Sequence, residues 1–528
     1  MWVARVVNQG CGPRAPKDAV SVPPFRHYHE STKHTPERLR SRRHTLDWTN
    51  APDPFRRYEG VPVFPLPASP PSLEAPAFDI LRGCRGRVAN TDGATLISQI
   101  LRHSAAISAA RRAGRTGERY FLRVNPSSGN LHPTEFHFAT RGLAGWGDGL
   151  YHYRVLTHEA EQRATGDYVE ALTQQTGAHV FGPVPAVFVL TTIVWREAWK
   201  YRERAYRYCL LDMGHAWQAL ALAARAAGLE AKTFGHFPDD AVAELLGLED
   251  EWPLLVVCLC GSAIPTERKA PTPGAWFGGV PSVISTRVVP YPAIEAVHRA
   301  SKLGRDSGAI ARAEPPQPGA GSLRLPQPAR PTAPFGNVAR QRRSALDFAA
   351  GASMELEQLS TLLDVAYRPF HADFEGDLWD RASSRYIQLY VFVHAVKNLA
   401  PGLYRYWPES GALEPLRGGD QRLWAAALSL GQDLAGNACV AFSMVGDLER
   451  AFRAHGDRGY RYVHFEAGAI GQRLYLAAEA LGLRSTGIGA FYDDAVHQYL
   501  EVPPSQGQVV YHFACGHAVP DEATVVLD

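Results

Sequence analysis

Three short stretches carry residue types and spacings that could hold one ligand of mixed character. Arg340-Gln341-Arg342-Arg343-Ser344 gathers three guanidiniums and a hydroxyl just before an expected helical segment, which is equipment for a phosphate. Asn125 to Glu135 reads N-P-S-S-G-N-L-H-P-T-E. In it Pro126 fixes φ and removes an N–H, Gly129 permits a close backbone approach, and Ser127, Ser128 and Asn130 offer small donors and acceptors, so the loop suits something flat and polar-edged. In Ser485-Thr486-Gly487-Ile488-Gly489 two close glycines let backbone N–H groups approach a planar ligand. Each also has an ordinary reading when taken singly: a solvated helix start, a turn ahead of an edge strand, and a helix C-cap.

The elements that must bring these stretches together repeat. Tyr206-Arg207-Tyr208 matches Tyr460-Arg461-Tyr462, and in the same register Gly214 matches Gly468, Gln218 matches Gln472, Gly228-Leu229 matches Gly482-Leu483, and Asp239-Asp240-Ala241-Val242 matches Asp493-Asp494-Ala495-Val496. The chain is therefore two copies of one α+β domain. The expected layout is an N-terminal arm (1–75), a first domain (76–290), a semi-extended linker rich in Pro, Gly and Ala (301–337) and a second domain (338–528). The arm, with F-R-H-Y-H-E at Phe25 to Glu30 and several arginines after it, reads as a solvated segment draped over the first domain. Within copy one an apolar helical period runs from Thr95 to Arg112. Leu150 to Val155 reads as a strand, Pro185 to Val194 and Leu254 to Leu259 as buried strands, and Arg204 to Ala227 as a long helix stopped by Gly228.

Composition excludes other classes. Lys+Arg 55 against Asp+Glu 53 gives no field that argues for nucleic acid or an acidic membrane. Seven scattered cysteines without a C-x-x-C pair read as buried thiols in a reducing compartment, and no apolar run is long enough to span a bilayer. A cytoplasmic protein is expected. His132, His137, His215 and His236 lack metal-ligand spacing and read as core or rim residues. Asp239-Asp240 and Asp493-Asp494 read as helix N-caps, and no G-x-G-x-x-G or P-loop is present.

The copies differ in what they carry. Arg342-Arg343-Ser344 and Gly487 to Gly489 belong to copy two, whereas the P-S-S-G-N loop belongs to copy one and is answered in copy two by Ala382-Ser383-Ser384-Arg385. The halves are complementary. On these motifs the chain resembles the flavin-dependent nitroreductase superfamily, and within it the SagB-type dehydrogenases, the azoline oxidases of thiazole- and oxazole-forming peptide pathways. The resemblance runs through both copies. It implies two tandem nitroreductase-like domains folded as an intramolecular pseudo-dimer, with FMN between them in one intact site and the second site degenerate. It implies that Arg342, Arg343 and Ser344 hold the FMN phosphate and ribityl chain, with Arg340 auxiliary. Pro126, Ser127, Ser128 and Asn130 would line the isoalloxazine, and Gly487, Ile488 and Gly489 would bring backbone donors near N5. The family's Lys or Arg after the last strand is missing, since neither type occurs after Arg484, although copy one has Arg268 and Lys269.

Trp199-Lys200-Tyr201-Arg202 resembles the family's catalytic Lys-Tyr pair, where copy two has Ala454-His455. A desolvated lysine beside a flavin, with a tyrosine, can remove a ring proton as electrons leave to FMN. The resemblance thus implies oxidation of a peptide-borne heterocycle, with a cyclodehydratase as possible partner. The rivals are an NAD(P)H-dependent nitro or quinone reductase and a flavin-free scaffold for a peptide or partner.

Overall fold

The computed structural model describes residues 22–41, 44–87, 91–112, 119–178, 183–261, 274–311, 313–314, 319–375 and 385–527. Ala382-Ser383-Ser384, Arg268-Lys269 and Cys11 fall outside them. After a helix α1 (Pro24–Ser31), the first half runs through β1 (Ile107–Arg112), β2 (Arg119–Arg123), β3 (Thr134–Thr140), β4 (Gly149–Arg154), β5 (Glu159–Thr165) and β6 (Ala186–Thr192). It continues with helices α2 (Val194–Tyr201) and α3 (Ala205–Ala226) and strands β7 (Glu230–Phe234) and β8 (Trp252–Cys260). Helices α4 (Pro292–Ala300) and α5 (Phe335–Gln341) lead to the second half: β9 (Ile387–Val393), β10 (Gly402–Trp407), β11 (Ala412–Gly418), β12 (Val440–Gly446), α6 (Leu448–His455), α7 (Gly459–Ala480), β13 (Arg484–Ile488), β14 (Gln508–Gly516) and β15 (Thr524–Val526).

The two halves share one plan. The first sheet is ordered β5-β4-β3-β6-β8-β7 and the second β11-β10-β9-β12-β14-β13, antiparallel throughout, strand for strand the same. The runs A-V-F-V-L-T-T of β6 and V-A-F-S-M-V-G of β12 are buried at every residue, as central strands covered on both faces must be. Helices α3 and α7 cross at the middle of the molecule. A Cβ on Gly214 would lie 2.3 Å from the Phe465 carbonyl oxygen, and one on Gly468 would lie 2.1 Å from that of Leu211, so the repeated glycines let the two backbones touch. A quasi-twofold axis passes there, and the same exchange recurs where Ala77 N–H donates to Ala333 O (2.9 Å) and Phe335 N–H to Ala75 O (2.8 Å). The intramolecular pseudo-dimer is the observed architecture.

The repeated aspartates have a different job from the one expected. Pro238 and Tyr492 are the N-caps; Asp239 and Asp493 follow them and reach across the axis. Asp493 binds Arg204 (3.0 Å) and Arg207 (2.8 Å) of the first half, and Asp239 binds Arg458 (2.6 Å) and Arg461 (2.7 Å) of the second. Nor is the N-terminal segment a solvated arm. Phe25, Tyr28 and His29 are buried, and α1 sits where α4 sits on the other side of the axis. Lys33 pairs with Asp494 (2.9 Å) as Lys302 pairs with Asp240 (2.6 Å), and Thr32 meets Arg207 as Ser301 meets Arg461. This is a further piece of the repeat, H-x-x-[S/T]-K at His29 and His298, missed because so few residues of it are identical.

Other expectations shift. The helix at Thr95 spans Gly93–Arg102, and Ile107 to Arg112 is a strand because β2 and the distant β15 pair with it. Phe335, inside the expected linker, is fully buried at the start of α5. Cys84 is exposed, whereas Cys209, Cys258, Cys260, Cys439 and Cys515 are buried free thiols. Among the described residues no helix is long and apolar enough to cross a membrane, and no cluster of three or more His, Cys, Asp or Glu could hold a metal.

Candidate functional site

A cavity of about 460 Å³ lies between the halves, and it joins residues more than 350 positions apart in the chain. Copy one supplies Pro126 to Asn130, His132, Tyr201, Tyr208, Asp212 and His215; copy two supplies Arg342, Arg343, Ser344, Tyr475, Tyr511 and Thr486 to Ala490. The twelve expected residues come six from each copy, and every one of them except Lys200 lines this cavity.

The arginine end is anion-seeking. Arg342 to Ser344 follow a helix rather than precede one, so the partial negative charge of the C-terminus of α5 faces them and the guanidiniums alone must attract an anion. Arg342 donates through Nε to Val124 O (2.7 Å), and Arg343 through Nη1 to Arg340 O (2.8 Å) and Nη2 to Ser108 O (2.7 Å). Arg342 Nη1 and Arg343 Nε are buried without an acceptor. Burial and the neighbouring Arg342, Arg484 and Arg340 push Arg343 down to about 9, and Glu479 opposes them only weakly. Arg340 itself faces away, donating to Ile107 O (2.7 Å) and Leu527 O (2.6 Å) and so tying β15 down. The cation missing after Arg484 has a neighbour of the same sign here: Arg111 of β1 stands at the rim beside Asp521, 3.5 Å away.

The glycine segment is the end of β13, an edge strand. Its glycines admit two tyrosines: a Cβ on Gly487 would lie 1.8 Å from Tyr511 Oη, and one on Gly489 would lie 2.1 Å from Tyr208 Cε1. The Gly487 N–H is already taken, donating to Tyr475 Oη (3.0 Å), which also meets Ser344 Oγ (2.8 Å). His215, neutral at ordinary pH because burial pushes it down to about 3, holds Tyr511 Oη (3.1 Å).

The facing wall is the P-S-S-G-N loop, folded tightly, with Gly129, Asn130 and His132 all at positive φ. Asn130 Nδ2 donates to Phe121 O (3.0 Å), and Arg196 from α2 donates to His132 O (2.8 Å). Asp212 on α3 receives Ser127 Oγ (2.7 Å), Ser128 Oγ (2.9 Å) and Ser128 N–H (3.0 Å). Tyr201 lies against Tyr208, ring centres 4.4 Å apart, and burial, then Glu197 and Tyr208, push its hydroxyl far above the usual range. Lys200 stands behind the loop; a Cβ on Gly129 would be 3.0 Å from its Nζ and 2.7 Å from Tyr201 Oη.

The quasi-symmetric position on the other side of the axis is filled. Phe374 stacks on Tyr462, the counterpart of Tyr208, at 4.5 Å and 9°, and Asp373 accepts from the Gly235 (2.8 Å) and His236 (3.1 Å) amides, the counterparts of Gly489 and Ala490. Arg82 pairs with Asp364 (3.2 Å) and Arg85 with Glu230 (3.0 Å). The plug shows what such a position accommodates: a flat ring on the tyrosine and an acceptor on two amides.

Sequence reasoning missed Tyr208, Asp212, His215, Tyr475 and Tyr511. Only the first two left a signal, Tyr208 as the second tyrosine of the repeated Y-R-Y and Asp212 as an acid answered by Glu466 at the same offset.

The profile of the Nitroreductase family matches residues 95–262 and 339–517, more than half of the chain. A protein of Methanocaldococcus jannaschii described as a nitroreductase is 30% identical over 166 residues, 31% of this chain and 83% of its own. The trifolitoxin-processing protein TfxB of Rhizobium leguminosarum bv. trifolii is 29% identical over 160 residues, 29% of this chain, which spans 43% of that protein's length. A crystal structure described as a nitroreductase of Anabaena variabilis is 27% identical with a TM-score of 0.74, covering 94% of this chain and 100% of its own.

Proposed function

We propose that this chain, which belongs to the nitroreductase family, is an FMN-dependent oxidoreductase of the SagB type that oxidises a peptide-borne azoline, or a similar heterocycle, to the azole. The observation that carries this reading is the interlocked cavity, equipped by both copies, with a twin position closed by Phe374.

The residues present fit FMN. The acceptor-less Arg342 Nη1 and Arg343 Nε suit its phosphate, with Ser344 next to them, and the tyrosine-framed slot between β13 and the P-S-S-G-N loop suits a flat ring system. When bound, FMN would supply a two-electron acceptor. Pro126, Ser127, Ser128 and Asn130 would orient the ring from one side, and Gly487 to Gly489 from the other. Tyr201 keeps its proton and can only donate or orient, so the base assigned to the ring proton of the substrate is Lys200, whose Nζ lies against Gly129 of the cavity wall. A likeness to a trifolitoxin-processing protein favours a peptide substrate, and a cyclodehydratase that makes azolines is the partner class that would supply it.

The test is turnover of an azoline-containing peptide under oxygen, followed by azole absorbance. Lys200→Met and Tyr201→Phe should keep the flavin and lose azole formation by more than tenfold each. Rapid bleaching of the flavin by NAD(P)H, with nitro or quinone reduction indifferent to Lys200→Met, would replace this reading with the reductase. Partner binding by a chain that never takes up FMN would replace it with the scaffold.

A further inference from the structure

Glu197 lies on α2 at the positions i, i+3 and i+4 with Lys200 and Tyr201, so the three share one helix face turned to the P-S-S-G-N loop. Copy two has Ala451, Ala454 and His455 there, so all three differ together while the flanking Arg204 and Arg458 agree. Glu197 is completely buried, and neither carboxyl oxygen accepts a hydrogen bond, because Ser127, the hydroxyl beside it, gives its one proton to Asp212 (2.7 Å). Its neighbour within hydrogen-bonding reach is another acid, Asp212, whose oxygens are already receiving the two serines of the loop. An ionised Glu197 would thus face a second carboxylate while the one hydroxyl beside it is engaged by that carboxylate. As the neutral acid it has one proton to give, and Asp212 is there to take it.

We infer that Glu197 is a positioning residue of the site: a neutral carboxylic acid that donates its proton to Asp212 and so lets one buried negative charge hold the Ser127–Ser128 loop over the cavity. No bond is made or broken; one proton is shared between two carboxyl groups. The groups facing the pair are Lys200 and Tyr201 from α2, Cys209 from α3, Ser127 and Ser128 from the loop and Tyr511 from β14. Lys200 is the one basic side chain among them, too little to compensate two carboxylates. Burial, then Asp212, holds Glu197 well above the usual carboxylate range, consistent with that geometry. At alkaline pH the proton leaves, the two carboxylates repel, and the loop loosens.

The inference rests on the FMN reading only for its effect on the flavin, and the test separates the two. Infrared spectra of the full chain, with and without FMN, are recorded from neutral to alkaline pH for wild type and Glu197→Gln, whose amide can still donate to Asp212. A carboxylic-acid carbonyl band at neutral pH that titrates away on the alkaline side and is missing in the variant is expected, whether or not FMN binds. The FMN dissociation constant of the wild type should rise at least tenfold over the same range, and that of Glu197→Gln should stay level. The absence of such a band in the wild type, or its survival in Glu197→Gln, would overturn the inference. An alkaline loss of FMN equal in both proteins would also overturn it. A chain that takes up no FMN but shows the band would sink the flavin reading and leave the buried acid standing.

Discussion

Arg342 Nη1 and Arg343 Nε are buried donors without acceptors, and Asp212 is a buried acceptor with three donors; together they define both ends of the site. A buried guanidinium bound to phosphate contributes about 1.5–3 kcal/mol. Arg343→Ala should accordingly weaken FMN binding by roughly 10- to 150-fold, and raising the salt concentration should weaken the wild type more than the variant, as read by flavin fluorescence titration. Asp212→Asn keeps one acceptor oxygen but places an amide NH2 against the serine donors. It should lower stability by about 1–3 kcal/mol in thermal unfolding and loosen FMN as well. The two predictions differ in how visible their residues are in the sequence. Arg342, Arg343 and Ser344 are neighbours in the chain, so their chemistry can be read off directly. Glu197 and Asp212 are joined only by the turn between α2 and α3, and nothing in their spacing announces that they touch.

That turn is strained at Arg202. Its φ of 53° with ψ −132° is a conformation that favours glycine, and copy two has Gly456 at the same place with φ 58° and ψ −151°. Arg202 therefore holds the end of α2, with Lys200 and Tyr201 on it, at a cost of about 1–3 kcal/mol that packing of Trp195, Glu197 and Trp199 must offset. Arg202→Gly should raise the unfolding midpoint, a net gain of roughly 1 kcal/mol after the added freedom of the unfolded chain. A drop in stability would mean that the Arg202 side chain makes an anchoring contact that outweighs the strain. Local pattern was a sound guide to β6, β8 and α3, whose burial is nearly complete and whose residues suit only one kind of element. It failed at β1, where Ile107 continues a helical period but pairing with β2 and with the chain's last strand decides the outcome.

Across the whole molecule the quasi-twofold axis is held by two buried clusters, Asp493 with Arg204 and Arg207, and Asp239 with Arg458 and Arg461. Burial alone would raise the Asp493 carboxyl, but Arg204 and Arg207 prevail and bring it down to about 2, below the roughly 3.9 of an unfolded chain. A depressed carboxyl stabilises fully above the unfolded value, and that stabilisation is lost as pH falls through about 2. Urea unfolding at a series of pH values should show stability falling below about pH 4, and Asp493→Asn should flatten that acid limb. At neutral pH the same variant should cost about 3–5 kcal/mol, since two buried guanidiniums lose their counter-charge. The offset repeat made the pseudo-dimer legible, because Tyr-Arg-Tyr and Asp-Asp-Ala-Val are two sides of these clusters. What the aspartates bind was not legible, since the repeat shows which residues correspond and is silent on which half each one reaches. The plug at Phe374 was hidden for the same reason, closing a position that Tyr462 of copy two and Gly235 of copy one line together. The most direct test of a single interlocked flavin site is the ratio of FMN to chain in the purified protein, from its visible spectrum before and after denaturation. One FMN per chain is predicted. Two would contradict the closed twin position, and none after incubation with excess FMN would contradict the flavin site itself.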